Sequence, residues 1–289
     1  MKLFISKDET VEIFLSIWEW CPTWCQSCSQ TLKKTKNYKL EDLKLQIDTA
    51  HSQSDERFVF FLYWSRDIEN THLSEIINYI SNLGRKIRLQ LPIESKKKDI
   101  SKYIYQIKEY VISKKISNST ECKDLFRNIS EFYKENIIIN YDLLVWKTYI
   151  DWIERILGVK FNKRIDWTLN LKLNNIIINI RDLYIIDSKN RKIDNLNISS
   201  CYSYESFQLK EDFIQINDHY EIDSQLNIIF HNPLCFIGNN KISNLRRDRK
   251  LILNDFKKYK NMYLEKLNDN YRYNCYKCIT TWFRYDEKS

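Results

Sequence analysis

The chain has 289 residues, of which 43% are hydrophobic and 14% aromatic, and its 46 basic and 38 acidic residues give a formal net charge of +8. This apolar content excludes an intrinsically disordered protein, and the longest apolar run, 58–64, is far too short to cross a bilayer. No export signal opens the chain, so its eight cysteines predict metal ligands in a reducing cytoplasm.

The first predicted strand covers 11–18 and leads into three closely spaced cysteines. Cys21, Cys25 and Cys28 lie in the run Cys-Pro-Thr-Trp-Cys-Gln-Ser-Cys. Three thiolates at this spacing can bind three irons of a 4Fe-4S cluster and leave the fourth iron open to a substrate or cofactor. Zinc is the alternative, because Cys25 and Cys28 form a C-x-x-C pair, but zinc usually needs a second nearby pair and none follows.

This C-x-x-x-C-x-x-C loop resembles that of the radical S-adenosylmethionine (radical SAM) superfamily. The resemblance implies a 4Fe-4S cluster at Cys21, Cys25 and Cys28 whose open iron binds S-adenosylmethionine. It further implies an oxygen-sensitive enzyme, in which an electron from a separate donor cleaves this cofactor reductively to a 5′-deoxyadenosyl radical.

Beyond these cysteines, helix and strand patterns alternate. Gly84 is expected to end the second helix. The alternation predicts an α/β fold, and roughly four strand-helix units predict a partial (β/α) barrel over 1–160 with its site at the carboxyl ends of the strands. The strands are predicted at 57–64, 86–93 and 136–145, and the helices at 40–47, 73–83, 104–111 and 121–135.

The loop after the strand 57–64 is the predicted cofactor-binding segment. In radical SAM proteins the corresponding strand usually ends in a Gly-Gly-Glu-Pro motif, and here Ser65, Arg66 and Asp67 occupy that place. The resemblance implies that Ser65 and Asp67 contact the ammonium of the methionine and that Arg66 pairs with a substrate carboxylate. The alternative is an ordinary polar loop, in which Asp67 lies near a helix start.

Two polar residues interrupt the apolar strands. Gln90 lies on the third predicted strand and Asn140 on the fourth. Polar side chains are unusual in buried parallel strands, so both are predicted to bind the cofactor through ribose or carboxylate contacts. Each would equally fit a hydrogen-bonded amide of the core.

The second half of the chain has a different pattern. From residue 167 apolar and polar residues alternate, which predicts antiparallel strands in a β-rich module over 161–289 that ends in a helix at 249–267. This cysteine-bearing module loosely resembles the auxiliary-cluster domain called SPASM or twitch, which implies a second 4Fe-4S cluster, with structural zinc as the alternative. The candidate ligands are Cys201, Cys235, Cys275 and Cys278.

The sequence therefore predicts a radical SAM enzyme that modifies a peptide or protein. RNA is the alternative substrate, because the chain carries a positive net charge and scattered basic runs. The alternative from another class is a non-catalytic zinc or iron-sulfur protein that binds nucleic acid or a protein partner. The eighth cysteine, Cys122, is predicted to be a small buried apolar residue on a helix.

Overall fold

The chain divides into two compact units. Unit 1 comprises Met1–Tyr63, Asn70–Ile87 and Ile198–Trp282, and unit 2 comprises Trp64–Glu69, Arg88–Asn197 and Phe283–Ser289. The modules predicted at 1–160 and 161–289 stay a prediction. The computed structural model describes residues 1–9, 11–15, 39–62, 72–91, 103, 105–116, 118–133, 135–145, 147–163, 168–182, 206–223, 225–230 and 241–268.

The described residues form fourteen strands and five helices. The strands are β1 Phe4–Ser6, β2 Glu12–Leu15, β3 Val59–Leu62, β4 Ile87–Leu91, β5 Ile107–Ile116, β6 Ile139–Val145, β7 Asn162–Lys163, β8 Thr168–Leu173, β9 Ile176–Asp182, β10 Phe207–Leu209, β11 Ile214–Ile216, β12 His219–Ile222, β13 Asn227–Ile229 and β14 Lys241–Asn244. The helices are α1 Leu40–Gln53, α2 Leu73–Asn82, α3 Ser119–Phe132, α4 Lys147–Leu157 and α5 Arg249–Asn268.

Unit 1 contains two groups of paired strands. In the larger group the order is β14-β13-β12-β2-β3, and in the smaller sheet it is β1-β11-β10. β2 runs parallel to both of its neighbours, with Ile13 opposite Tyr220 on one side and Phe60 on the other. Because these three residues are fully buried, the strand is held from both sides inside the unit.

Aromatic side chains connect the two groups of strands in unit 1 with α5. Phe4 of β1 stacks on Tyr220 of β12, with ring centroids 4.9 Å apart. Phe207 of β10 lies 4.9 Å from Phe256 of α5 and 5.0 Å from Phe230. All of these rings are fully buried, so they supply much of the apolar area that stabilises the unit, at about 25 cal/mol per Å².

A buried arginine caps the carboxyl end of α1. Arg85 donates to the carbonyl oxygens of Ser54 at 2.8 Å, His51 at 3.2 Å and Asp55, and its Nε donates to His51 Nδ1 at 2.8 Å. Carbonyl groups at a helix end lack helical partners, and a positive charge there is favourable. Gly84 precedes this arginine with φ +71° and ends α2 as predicted.

Unit 2 has the strand order β4-β5-β6-β9-β8-β7, counting β4 from Arg88. β5, β6 and β9 are parallel, and β8 is antiparallel to β9. One face is apolar and packs on α3, where the Tyr141 hydroxyl donates to Asn128 Oδ1 at 2.5 Å. Ile139, Leu143 and Ile178 on that face are almost fully buried. The opposite face, called here the polar face, carries hydrogen-bonding side chains.

The α/β class, with largely parallel strands, is confirmed, and the partial barrel stays a prediction. The predicted helix at 104–111 is wrong, because β5 begins at Ile107. Tyr110 and Ile112 of β5 are buried on one face, and pairing with β6 outweighs the helical spacing of the apolar residues. Helix α4 was not predicted.

Within the described ranges, no helix has both the length and the apolarity that a bilayer crossing requires.

Replacing Arg85 by lysine is expected to lower the free energy of unfolding by about 2 kcal/mol, because an ammonium cannot donate to several carbonyl groups in a fork. Urea unfolding followed by circular dichroism measures this difference. The matched control is Arg57→Lys, whose half-exposed ion pair with Asp55 should contribute less than about 1 kcal/mol. Equal losses in the two variants would contradict the capping role of Arg85.

The turn between α4 and β7 depends on one carboxylate. Glu154 of α4 accepts hydrogen bonds from Lys160 Nζ and, at 2.9 Å, from the Phe161 N–H. Gly158 makes the turn with φ +65°. The pKa of Glu154 lies below its ordinary value. The hydrogen bond from Lys160 lowers it most, and the hydrogen bond from the Phe161 N–H has the second largest effect.

The stabilisation from Glu154 is therefore expected to depend on pH. Because the folded pKa is the lower one, this stabilisation is fully present above the ordinary glutamate pKa of about 4.3 and is lost as the pH falls through the folded value. Glu154→Gln should unfold at lower urea concentration than the native protein at neutral pH. This difference in urea midpoint should disappear in acid. The matched control is Glu56→Gln, at an exposed glutamate, which should unfold at nearly the same urea concentration as the native protein at neutral pH.

Candidate functional site

The parallel strands β2 and β3 end together. Leu15 lies directly opposite Leu62, and these are the last residues of the two strands. Cys21 comes six residues after Leu15, and Ser65 comes three residues after Leu62. The segment with the predicted cluster ligands and the segment with the predicted cofactor ligands therefore begin side by side at one edge of the sheet, called here the carboxyl edge.

This carboxyl edge is supported by packing on both faces of the strands. On one face the rings of Phe14 and Phe61 lie 4.7 Å apart, and Phe14 meets His219 edge to face at 4.5 Å. On the other face Leu15 and Leu62 are fully buried. A loop that carries ligands needs such a fixed base, because small displacements of the strand ends would be passed on to the ligands.

The predicted metal ligands and the predicted residues of the cofactor-binding loop lie outside the described residues. This holds for the cluster cysteines, for the loop residues Ser65, Arg66 and Asp67, and for the cysteines Cys201, Cys235, Cys275 and Cys278. In the described part of the chain, no group of three or more His, Cys, Asp or Glu residues is placed to hold a metal ion. The assignments of Cys21, Cys25 and Cys28 and of the other residues named here stay predictions.

Cys122 is the cysteine that the structure describes. It is fully buried on α3, and this burial raises the pKa of its thiol to about 11. The thiol is therefore protonated at neutral pH, unlike a cysteine that ligates iron. The prediction that Cys122 is a buried apolar residue is confirmed.

A continuous set of hydrogen bonds crosses the polar face of unit 2, and we call it the polar ladder. Arg88 donates through Nε and Nη2 to Glu109 Oε2, at 2.9 and 2.6 Å. Asn140 donates to Glu109 Oε1 at 3.0 Å, Asn179 donates to Asn140 at 2.7 Å, and Asn170 donates to Asn179 at 2.7 Å. The ladder therefore joins residues of β4, β5, β6, β9 and β8.

The two polar strand residues predicted from the sequence lie at different distances from the carboxyl ends of their strands. Gln90 is half-buried and lies one residue before Leu91, the carboxyl end of β4. Asn140 lies five residues before Val145, the carboxyl end of β6, and belongs to the polar ladder. At about 3.3 Å per residue it is roughly 16 Å from that end.

Sequence reasoning missed Glu109 and Asn179. Glu109 lies in the segment wrongly predicted as helix. With a helix there, the sequence could not predict its ion pair with Arg88 on the neighbouring strand. Asn179 is one polar residue in the alternating run 168–182, and nothing local distinguishes it from a solvated position. The usable signal is a polar residue at matching depth on successive strands, which requires the strand order to be known.

No protein-family model matches the chain, and no curated protein matches it.

Solved structures with a similar fold are known at low sequence identity. The structure of Streptococcus suis SuiB bound to precursor peptide SuiA has a TM-score of 0.51 and 11% identity, and the match covers 92% of this chain. The structure of anSMEcpe with bound AdoMet has a TM-score of 0.50 and 11% identity, and the match covers 94% of this chain and 88% of anSMEcpe.

The chain spans 66% of the length of SuiB, about two thirds. SuiB and anSMEcpe are both radical SAM enzymes. The fold of this chain is therefore similar to that of radical SAM enzymes, in agreement with the resemblance of its cysteine loop.

Proposed function

We propose that the chain is a radical SAM enzyme that binds S-adenosylmethionine and a 4Fe-4S cluster. The observation that carries this proposal is the carboxyl edge, where β2 and β3 end opposite each other at Leu15 and Leu62. The segment after β2 contains the C-x-x-x-C-x-x-C run, and the segment after β3 contains the cofactor-binding candidates. The fold similarity to anSMEcpe, solved with bound AdoMet, supports the proposal.

The donor set fits the cluster. Cys21, Cys25 and Cys28 provide three thiolates, which are ligands that iron-sulfur clusters require, and leave one iron for the cofactor. When bound, the cluster supplies the electron that cleaves S-adenosylmethionine to a 5′-deoxyadenosyl radical. These cysteines would hold it in the segment that follows β2, whose last residue, Leu15, is fully buried.

Polar residues near strand ends bind the cofactor in this proposal. Ser65 and Asp67 contact the ammonium of its methionine part, and Arg66 pairs with a carboxylate of the substrate. Gln90, one residue from the carboxyl end of β4, contacts the ribose or carboxylate. The predicted cofactor contact of Asn140, which lies deeper along its strand, stays a prediction, and the inference below gives this residue a different role that the Kd for S-adenosylmethionine distinguishes.

The substrate we propose is a peptide or protein in the cytoplasm, with a separate protein as electron donor. The structure of SuiB bound to a precursor peptide supports a peptide, since the fold is shared. RNA is the second candidate, favoured by the net charge of +8.

The first test is anaerobic reconstitution with iron and sulfide, then reduction with dithionite in the presence of S-adenosylmethionine. The native protein should form 5′-deoxyadenosine and show the electron paramagnetic resonance signal of a reduced 4Fe-4S cluster. Cys25→Ala should form no 5′-deoxyadenosine and should lose the part of the signal that changes when S-adenosylmethionine is added, because the cluster then lacks one thiolate. The matched control is Cys122→Ala, which should keep both, since this thiol is buried and protonated.

A zinc-loaded protein that gives no 5′-deoxyadenosine under any reductant would contradict the proposal. The chain would then be a metal-stabilised binding protein. Loss of the cluster signal in both Cys25→Ala and Cys122→Ala would instead indicate unfolding, which circular dichroism of the two variants detects.

The four cysteines Cys201, Cys235, Cys275 and Cys278 are proposed to hold a second 4Fe-4S cluster. Reconstituted protein should then contain about eight irons per chain, and the double variant of Cys275 and Cys278 to alanine about four. The radical-forming cluster should keep its spectrum and its 5′-deoxyadenosine formation without substrate. About one zinc per chain, lost in the double variant with iron unchanged, would show that the second site is structural zinc.

A further inference from the structure

The amide hydrogen bonds of the polar ladder all run towards Glu109. Asn170 donates to Asn179, Asn179 donates to Asn140, and Asn140 donates to Glu109. An ionised carboxylate can only accept, and the guanidinium of Arg88 can only donate, so the ladder ends at the Glu109–Arg88 pair. This end imposes the orientation of each amide group along the ladder, since a flipped Asn140 would turn its oxygen towards the carboxylate.

The imposed orientation leaves defined hydrogen-bonding groups on the polar face. The bonds of Asn140 to other described residues use one N–H and one lone pair of its oxygen, so one donor and one acceptor remain on the same amide. Asn179 uses both N–H groups, on Asn140 at 2.7 Å and on Asp142 at 3.2 Å, and its oxygen keeps one lone pair. Asn140, Asn170 and Asn179 are each only partly buried.

The charged members of the ladder do not form a cluster of cations. Arg88 is paired with Glu109 at 2.6 Å, and Asp142 beside Asn179 is a carboxylate. Lys172, two residues along β8 from Asn170, is a further described cation on the same face, so RNA is kept as the competing ligand in the test below. Neighbouring amide donors and acceptors are instead the complement of a peptide group.

We propose that the polar ladder binds the main chain of a peptide through the amides of Asn140 and Asn179. Glu109 acts as a positioning residue, because it sets the orientation of both amides without touching the peptide. The inference rests on the proposed function, whose substrate is a peptide, and it adds the groups by which that peptide is recognised.

The test measures binding by the reconstituted protein in the presence of S-adenosylmethionine. The first probe is a displayed library of random peptides about twelve residues long, from which an enriched sequence is resynthesised. The second is a single-stranded RNA of about twelve nucleotides. Asn140→Leu and Asn179→Leu should each weaken binding of the enriched peptide about tenfold, while iron content and the Kd for S-adenosylmethionine stay unchanged.

Glu109→Gln distinguishes positioning from simple structural support. It keeps the shape of the side chain, but an amide at this place can donate as well as accept, so the direction of the ladder is no longer imposed. Peptide binding should weaken in this variant too, and the variant serves as the test should Asn140→Leu not fold. The matched control is Tyr141→Phe, on the same strand but facing α3, which should bind the peptide as tightly as the native protein.

Four results would overturn the inference. They are the enrichment of no peptide, equal weakening in Tyr141→Phe, a higher Kd for S-adenosylmethionine rather than for the peptide in Asn140→Leu, and RNA binding that tightens in Glu109→Gln. The proposed function can fail separately. Peptide binding that depends on the ladder, without any formation of 5′-deoxyadenosine, would contradict the radical SAM activity but not the peptide site.

Discussion

The parallel pairing of β2 with β3 is the constraint on which the candidate site depends. Parallel strands in register bring their carboxyl ends to one edge, and Leu15 opposite Leu62 places the starts of two distant segments side by side. Burial of these leucines and the contact between Phe14 and Phe61 stabilise that edge. A shift of one residue in register would turn every side chain of β2 to the wrong face, so the apolar pattern enforces the alignment.

The strands of unit 2 show how one sheet serves two purposes. Its apolar face packs on α3 and is almost fully buried, with the hydroxyl of Tyr141 paired to Asn128. Burial there raises the pKa of Tyr141 well above its ordinary value, so the hydroxyl stays protonated and keeps donating. The polar face stabilises the fold less, since replacing a polar network by apolar residues is often neutral or favourable.

Local features of the sequence were sufficient for several parts of the structure. The helical spacing around Leu73 and Ile80 and the glycine at 84 predicted α2 and its end, since a positive φ is easily adopted only by glycine. The last helix, Arg249–Asn268, also agrees with the prediction. The segment from Ile107 does not, because its residues become a strand only through pairing with β6.

Residue types and their spacing alone predicted three cysteines at cluster spacing, a small buried cysteine on a helix and polar residues inside apolar strands. These features are local, because each follows from residue type and spacing along the chain. The tertiary structure decided which of the polar residues act together. Glu109 and Asn140 are 31 positions apart in sequence, and only the pairing of β5 with β6 brings them within 3.0 Å. Such contacts depend on strand order and register, which arise from packing of the whole sheet and leave no mark at either residue alone.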